Sequence, residues 1–261
     1  DGGGKGHVEH ALLDWGDTLG GLWWSDSFSR RVGYTYYIDF GAMGADFITF
    51  GAVTRPWEDA TYGPAGQIFG YFDDAKFEPE DWHVGNPNPA FSAMQEGDGA
   101  WMARIISRID DAAISAVVAE ARLSSPVARS ELERILRGRR DRIVRRYLLR
   151  LSSLSQPVVE GQGEGRLLCL EDRAESAGLG AAPAPAARLW FSSTTAADLQ
   201  VSRRGPAELC VSLPDLGAEQ RVVEVSTGRH GQFPLRVHLL GGESPRVVGL
   251  ERPEDDQPPS G

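Results

Sequence analysis

Basic charge is in short supply. Lysine and arginine together number 27 against 37 aspartates and glutamates, a formal charge of −10 and a pI near 5.0. A general nucleic-acid binder normally presents a basic face, so that class is disfavoured. Lysine itself is nearly missing, with Lys5 and Lys76 the only two. That bias fits a GC-rich coding sequence and carries no functional weight. Long apolar runs are missing too: none approaches the roughly 18 residues a membrane-spanning helix needs, which excludes a transmembrane segment of that kind. Cysteine is limited to Cys169 and Cys210. Neither lies in the first 160 residues, and Ser25, Ser92 and Ser107 lack the G-x-S-x-G elbow, so acyl transfer by a nucleophile has no support. The remaining composition, 41% hydrophobic and 25% charged with 31 Gly and 16 Pro, is that of a globular chain with one large or two small cores. It is neither collagen-like nor wholly disordered.

Pattern divides the chain in three. Residues 1–100 hold 16 acidic and five basic residues, with many glycines and aromatics, and read as short strands and loops. Residues 100–152 switch to helical spacing. Trp101, Ile105, Ile106 and Ile109 share one face, and Ile114, Val117, Val118 and Ala121 share another, with Asp110 and Asp111 as N-cap candidates between them. Ser124, Ser125 and Pro126 then announce a long amphipathic helix through Leu132, Ile135, Ile143, Tyr147, Leu148 and Leu151. Its polar face carries a row of arginines from Arg134 to Arg150. Arginine stems cover apolar surface while their heads stay in water, so a solvated face with acidic countercharges is preferred over an anion-binding patch.

A Ser-, Gln- and Gly-rich stretch from Ser152 to Gly165 reads as a linker, and strand alternation follows it. The expected strands are Arg166–Leu170, Arg188–Phe191, Leu199–Ser202, Glu208–Leu213, Arg221–Ser226, Pro234–Leu239 and Arg246–Glu251. Such a series predicts a small antiparallel β-sandwich. The organisation is therefore a first domain over 1–160, a sandwich over 166–252, and a polar, Pro-rich tail over 253–261. Cys169 and Cys210 both fall in alternating strands of the sandwich. They pair in an oxidising compartment or sit as two buried thiols in a reducing one, and sequence leaves the two open.

Chemistry concentrates in His10-Ala-Leu-Leu-Asp14-Trp15-Gly16-Asp17-Thr18-Leu19-Gly20-Gly21. A short apolar strand ends in Asp14, Gly16 lets the backbone turn, and Asp17 follows. Such a strand-borne carboxylate can hold a magnesium ion that nucleotide phosphates help to coordinate, although Asp-x-Gly alone also describes many strand-to-turn junctions. The segments LLDWGDTLGG, PWED, FDDAKFEPEDWHVGNPNPAF and DGAWMARIISRIDDAAISAVV, the arginine-rich helix, and the closing PLRVHLL and RVVGLER strands resemble a family of uncharacterised bacterial proteins. That family is in turn similar to atypical kinases of the spore-coat and secretory-pathway type. Their metal motif, Asp-x-Gly-x-x-Leu/Phe-Gly, matches Asp14, Gly16, Leu19 and Gly20.

The resemblance implies an α+β fold: a kinase-like C-terminal lobe portion, made of short strands and then three helices, followed by the small antiparallel β-sandwich. It implies Asp14 as ligand of a nucleotide-bound Mg2+, Asp17 as helper, Gly16 and Gly20 beside the nucleotide, and ATP as cofactor. The catalytic loop, lysine and phosphate-covering loop would lie upstream, since the chain opens Asp-Gly-Gly-Gly-Lys-Gly without an initiator Met. The expected function is thus the C-terminal part of a phosphotransferase, inactive alone. The alternative is a noncatalytic envelope or surface protein whose β domain binds a protein or glycan partner. The compartment stays open between envelope, secretion and others.

Other constellations are weaker. Gly2–Gly6 lacks phosphate-loop spacing. His7, His10 and Asp14 offer zinc-compatible donors, but on a strand His7 points away from the other two. Asp39-Phe40-Gly41 reads as the end of a sheet strand through Tyr34, Tyr36 and Ile38. His238 reads as a satisfied structural residue. The aromatics Trp57, Tyr62, Phe69, Tyr71, Phe72, Phe77 and Trp82 alternate with acids and are expected to anchor an irregular segment rather than line a sugar or peptide groove.

Overall fold

The structure, a computed structural model, describes residues 25–254. It is a mixed α+β protein in which helices precede two antiparallel sheets. The helices are α1 (Asp26–Arg31), α2 (Phe40–Thr49), α3 (Pro89–Ser92), α4 (Glu96–Ile106), α5 (Asp111–Glu120), α6 (Pro126–Leu148) and α7 (Arg173–Ser176). The chain divides into two compact units that do not follow chain order: Asp1–Pro89 with Ser115–Leu136, and Ala90–Ile114 with Arg137–Gly261.

In the first unit the described residues carry helices and turns where short strands are expected. Between residues 25 and 89 the sole strand-like pairing is an isolated bridge from Gly33 to His83. Ser25 caps α1 by accepting from the Phe28 amide, with Asp26 in its first turn and Arg30 and Arg31 in its last, the placement the helix dipole favours. Asp39 caps α2 in the same way. The expected strand through Tyr34–Ile38 is therefore absent, because Asp39 satisfies amides of a helix start instead of ending a ladder. Phe69, Ala128, Leu132 and Ile135 are buried in this unit, whereas α2 buries none of its residues.

The three helices expected over residues 100–152 are present as α4, α5 and α6, with caps where the sequence puts them. Asp110 Oδ1 accepts from the Ala113 amide at 2.7 Å, and Ser125 Oγ from the Ala128 amide at 3.3 Å, ahead of Pro126 in the first turn of α6. The buried face of α4 differs from expectation. Trp101, Ile105 and Ile109 are exposed, and Gly99, Ala100 and Ala103 turn inward. The missing side chain of Gly99 is what admits Tyr147: a Cβ there would lie 2.4 Å from the Tyr147 ring. Ala103, Val144, Tyr147 and Leu148 form this small core with Ile106 against it. The arginines of α6 meet acids within their own units: Arg134 with Asp74 in the first, Arg140 with Asp111 and Arg146 with Glu96 in the second.

Nine strands build the sandwich: β1 (Leu154–Glu160), β2 (Leu167–Asp172), β3 (Ala186–Ser192), β4 (Thr195–Leu199), β5 (Val201–Gly205), β6 (Glu208–Ser212), β7 (Gln220–Ser226), β8 (Leu235–Leu240) and β9 (Arg246–Glu251). They form a four-stranded sheet in the order β1-β2-β6-β5 and a five-stranded sheet in the order β4-β3-β7-β8-β9. Inward residues of both sheets, among them Leu154, Leu168, Leu170, Leu209 and Val211 from one and Leu189, Val223, Val225, Leu235, Val237 and Leu239 from the other, make one core. Truncating any one of these leucines to Ala would cost about 2–5 kcal/mol.

Two expectations fail here for physical reasons. The stretch read as a linker contains β1, an edge strand whose bulge at Gln156 (φ 52°) and Pro157 breaks the alternation. The expected strand Leu199–Ser202 is instead the end of β4 and the start of β5, meeting at Gln200, where the chain crosses from one sheet to the other.

Candidate functional site

Asp14, Gly16, Asp17 and Gly20, with His7, His10 and the Gly2–Gly6 run, lie outside the described residues. Asp39 of Asp39-Phe40-Gly41 is committed to structure, accepting from Thr35 Oγ1 at 2.6 Å and the Ala42 amide at 2.9 Å. Those bonds, Thr35 first, hold its carboxyl below the usual range. The aromatic segment anchors in part, through buried Phe69. It also builds an acid cluster that sequence reasoning missed. Asp26 Oδ1 accepts from Tyr71 Oη at 2.6 Å and Tyr62 Oη at 2.8 Å, and Oδ2 from Arg30 Nε at 2.9 Å. The two tyrosine rings stack at 4.7 Å, with the Arg30 guanidinium 4.8 Å from the Tyr71 centroid. The Tyr71 hydroxyl, followed by Arg30 and Tyr62, lowers the Asp26 carboxyl to about 2. Burial, helped by Asp26, raises the Tyr71 phenol.

The sandwich offers the more developed site, on the outer face of the four-stranded sheet. Alternation sends Leu168, Leu170, Leu209 and Val211 into the core. Cys169 and Cys210 therefore face outward, and they are directly opposed across β2 and β6. They form a disulfide with Cα atoms 4.1 Å apart. Both cysteines are buried at 3% and 1% exposure, and Cys169 lines a groove of about 450 Å3. Glu208, two residues before Cys210 in β6, points to the same face, as does Glu160 of β1.

Arg204 ties these carboxylates together. Its Nε and Nη2 donate to Glu208 Oε2 and Oε1 at 2.8 and 2.9 Å, and its other contacts reach Glu160. Arg204 is the leading cause that holds both carboxyls below the ordinary glutamate range. Glu171, directly opposite Glu208 across β2 and β6, pairs with Arg173, whose Nη2 also donates to the Ser107 carbonyl at 3.0 Å. Val158, Pro206 and Ala207 supply apolar lining, and no aromatic residue takes part. Three donor residues, Cys169, Glu208 and Cys210, have ligand atoms within 4.8 Å of one another, the one such metal-compatible group among the described residues. The signal legible in advance was Glu208-x-Cys210, a spacing of two in an alternating strand.

A second cavity, of about 410 Å3, lies beside α7 and the second half of α6 and is lined by Asp110, Asp111, Arg140 and Asp141 among others. Arg140 closes it, pairing with Asp111 and Asp141 at 2.8 Å each and donating to the Ile109 carbonyl at 3.0 Å. On the opposite sheet, His238 is held as a structural residue is, with Nδ1 3.4 Å from Gln220 Nε2 and Nε2 3.4 Å from Glu251.

Fold and site together define a mixed α+β protein with a disulfide-stapled β-sandwich. Comparison with known proteins adds no kinship: no family model, no curated protein and no solved structure matches the chain. Among the described residues no helix is long and apolar enough to cross a membrane.

Proposed function

We propose that the chain belongs to a noncatalytic envelope or surface protein whose β-sandwich binds a protein partner through the groove beside the Cys169–Cys210 disulfide. The observation that supports this reading is the lining of that groove. Glu160, Glu171 and Glu208 stand beside Val158, Pro206 and Ala207 without an aromatic ring. Glycan sites on sandwiches rely on aromatic faces to stack sugar rings, whereas a small apolar strip flanked by carboxylates suits an extended peptide whose basic side chains replace Arg204 and Arg173 as the carboxylates' partners. A disulfide in the same face fits an oxidising compartment. The test is amide chemical-shift mapping on the whole chain with pools of basic and acidic hexapeptides and of xylo-oligosaccharides. Basic peptides should shift Val158, Glu160, Glu171 and Glu208. Shifts from sugars alone, or none at these residues, would overturn the reading.

Phosphotransfer by a longer parent is the second reading, supported by the match of Asp14, Gly16, Leu19 and Gly20 to Asp-x-Gly-x-x-Leu-Gly. There Asp14, with Asp17 as helper, would hold Mg2+, and Gly16 and Gly20 would let backbone approach the phosphates of ATP. Magnesium-dependent ATP binding by calorimetry on the parent, lost in Asp14→Asn, would support it. Equal binding by the variant would remove it.

A further inference from the structure

The Cys169–Cys210 disulfide occupies a position that two thiols would keep without it. The β2–β6 ladder is in register from Leu167 opposite Ser212 to Glu171 opposite Glu208, and the cysteines sit at its centre. Backbone hydrogen bonds on both sides, and core residues Leu168, Leu170, Leu209 and Val211 beneath, fix the two Cα atoms independently of the S–S bond. Glu208 is brought to the same face by the period of two. Its ligand oxygen and the two sulfurs already lie within 4.8 Å of one another.

We propose that reduction of Cys169–Cys210 turns this face into a metal site, in which the two thiolates and the Glu208 carboxylate hold a single zinc-class divalent cation with water as fourth ligand. Two sulfurs and one carboxylate oxygen match the borderline-soft, tetrahedral preference of zinc, whereas magnesium and calcium take oxygen donors. The groove includes Cys169 and Glu208 in its lining, so the reductant and the ion approach from the Cys169 side.

The step balances with a dithiol reductant. Its two thiols form a disulfide, giving two electrons and two protons as the Cys169–Cys210 bond breaks to two thiols. Binding the cation then releases those two protons to solvent as two metal–sulfur bonds form. Glu208 exchanges its contacts with Arg204 for the metal, and Arg204 keeps Glu160 as partner. The cation replaces the covalent bond as the tie between β2 and β6. The proposal goes beyond the peptide-binding reading and does not depend on it, because it is tested by metal titration without any peptide.

The experiment is an anaerobic titration of the whole chain with Co2+ after reduction by a phosphine, with the oxidised chain alongside. The reduced chain should take up one ion, with thiolate-to-cobalt charge transfer and the d–d bands of a tetrahedral site, and should release two protons per ion. Oxidised protein should show none of this. Glu208→Gln should weaken binding at least about tenfold, since even outer partners of a metal site are felt on that scale. The Cys169→Ser/Cys210→Ser chain should lose the charge-transfer band. Octahedral spectra without charge transfer, or unchanged affinity in Glu208→Gln, would overturn the site. So would loss of the strand signal in circular dichroism on reduction, because the site requires the ladder to outlast the disulfide.

Discussion

Asp172 has no exposed surface, and each of its carboxylate oxygens accepts from a different nitrogen of Arg229, Oδ1 from Nη1 at 3.1 Å and Oδ2 from Nη2 at 2.7 Å. The Ser153 hydroxyl at 2.8 Å and the Ala174 amide at 3.2 Å complete the shell around Oδ1. Arg229 Nη2 also donates to the Gly180 carbonyl at 2.6 Å. One buried ion pair thus joins the end of β2, the start of α7 and the loops after α7 and β7.

Because the pair is buried, removing one partner leaves a charge with neither water nor counterion. Asp172→Ala should destabilise the protein by about 3–5 kcal/mol. Asp172→Asn keeps the cap on Ala174 and should cost less. Urea unfolding followed by tryptophan fluorescence measures both, and a loss in Asp172→Ala below that of a surface substitution would contradict this account.

The outer face of the five-stranded sheet carries one rung of alternating charge across all five strands: Asp198, Arg188, Glu224, Arg236 and Glu251. Burial grades the rung. Arg236 is 4% exposed and pairs with Glu224 at 3.1 Å and Glu251 at 2.9 Å, whereas Arg188 and Asp198 at the edge are 52% and 86% exposed. Arg236→Ala is expected to cost about 2–4 kcal/mol, as part of a buried pair is broken. Arg188→Ala should stay within about 1 kcal/mol. Thermal melts of the two variants side by side make the comparison.

The disulfide closes a loop between residues 41 apart. Chain-entropy reasoning puts its contribution at about 4 kcal/mol, acting on the unfolded state. Cys169→Ala/Cys210→Ala should lower the urea midpoint and raise the m-value, because the released unfolded chain expands and exposes more surface, while leaving the strand signal intact. An unchanged midpoint would show that the unfolded chain is already constrained.

Asp26 should titrate at about 2 instead of its ordinary 3.8. The folded value lies below the unfolded one, so the cluster's stabilisation is complete above about pH 4 and is lost as pH falls through about 2. Carboxyl carbon NMR against pH reads the midpoint directly. Tyr71→Phe removes the largest cause of the shift and should raise the midpoint toward 3.8.

At Asp39, which caps α2 through Thr35 and the Ala42 amide, Ala should fray the first turn at a cost of about 1 kcal/mol. Amide hydrogen exchange at Gly41 and Ala42 should quicken, with the sandwich amides unaffected.

Local grammar settled the helices of 96–148 and most strands. Asp110, Ser125 and Pro126 act within three or four residues of themselves, so their effect is readable without any partner. Alternation in 167–251 likewise names faces, because a strand needs no distant residue to point its side chains two ways. What escaped depended on partners far away in the chain. β1 was hidden because its bulge places the inward Leu154 and Val159 five positions apart, out of step with a period of two, and only pairing with β2 reveals it as a strand. Gly99 and the small residues of α4 face inward because Tyr147 fills the space above them, which no helical wheel of α4 contains. The disulfide and its grouping with Glu208 needed β6 to cross beside β2. The sequence by itself determined that Cys210 and Glu208 share one face of a strand. That Cys169 stands opposite Cys210, two register positions from Glu208 on the same face, was decided by tertiary structure alone, since sheet order is set by burying two apolar faces against each other and not by any residue's own preference.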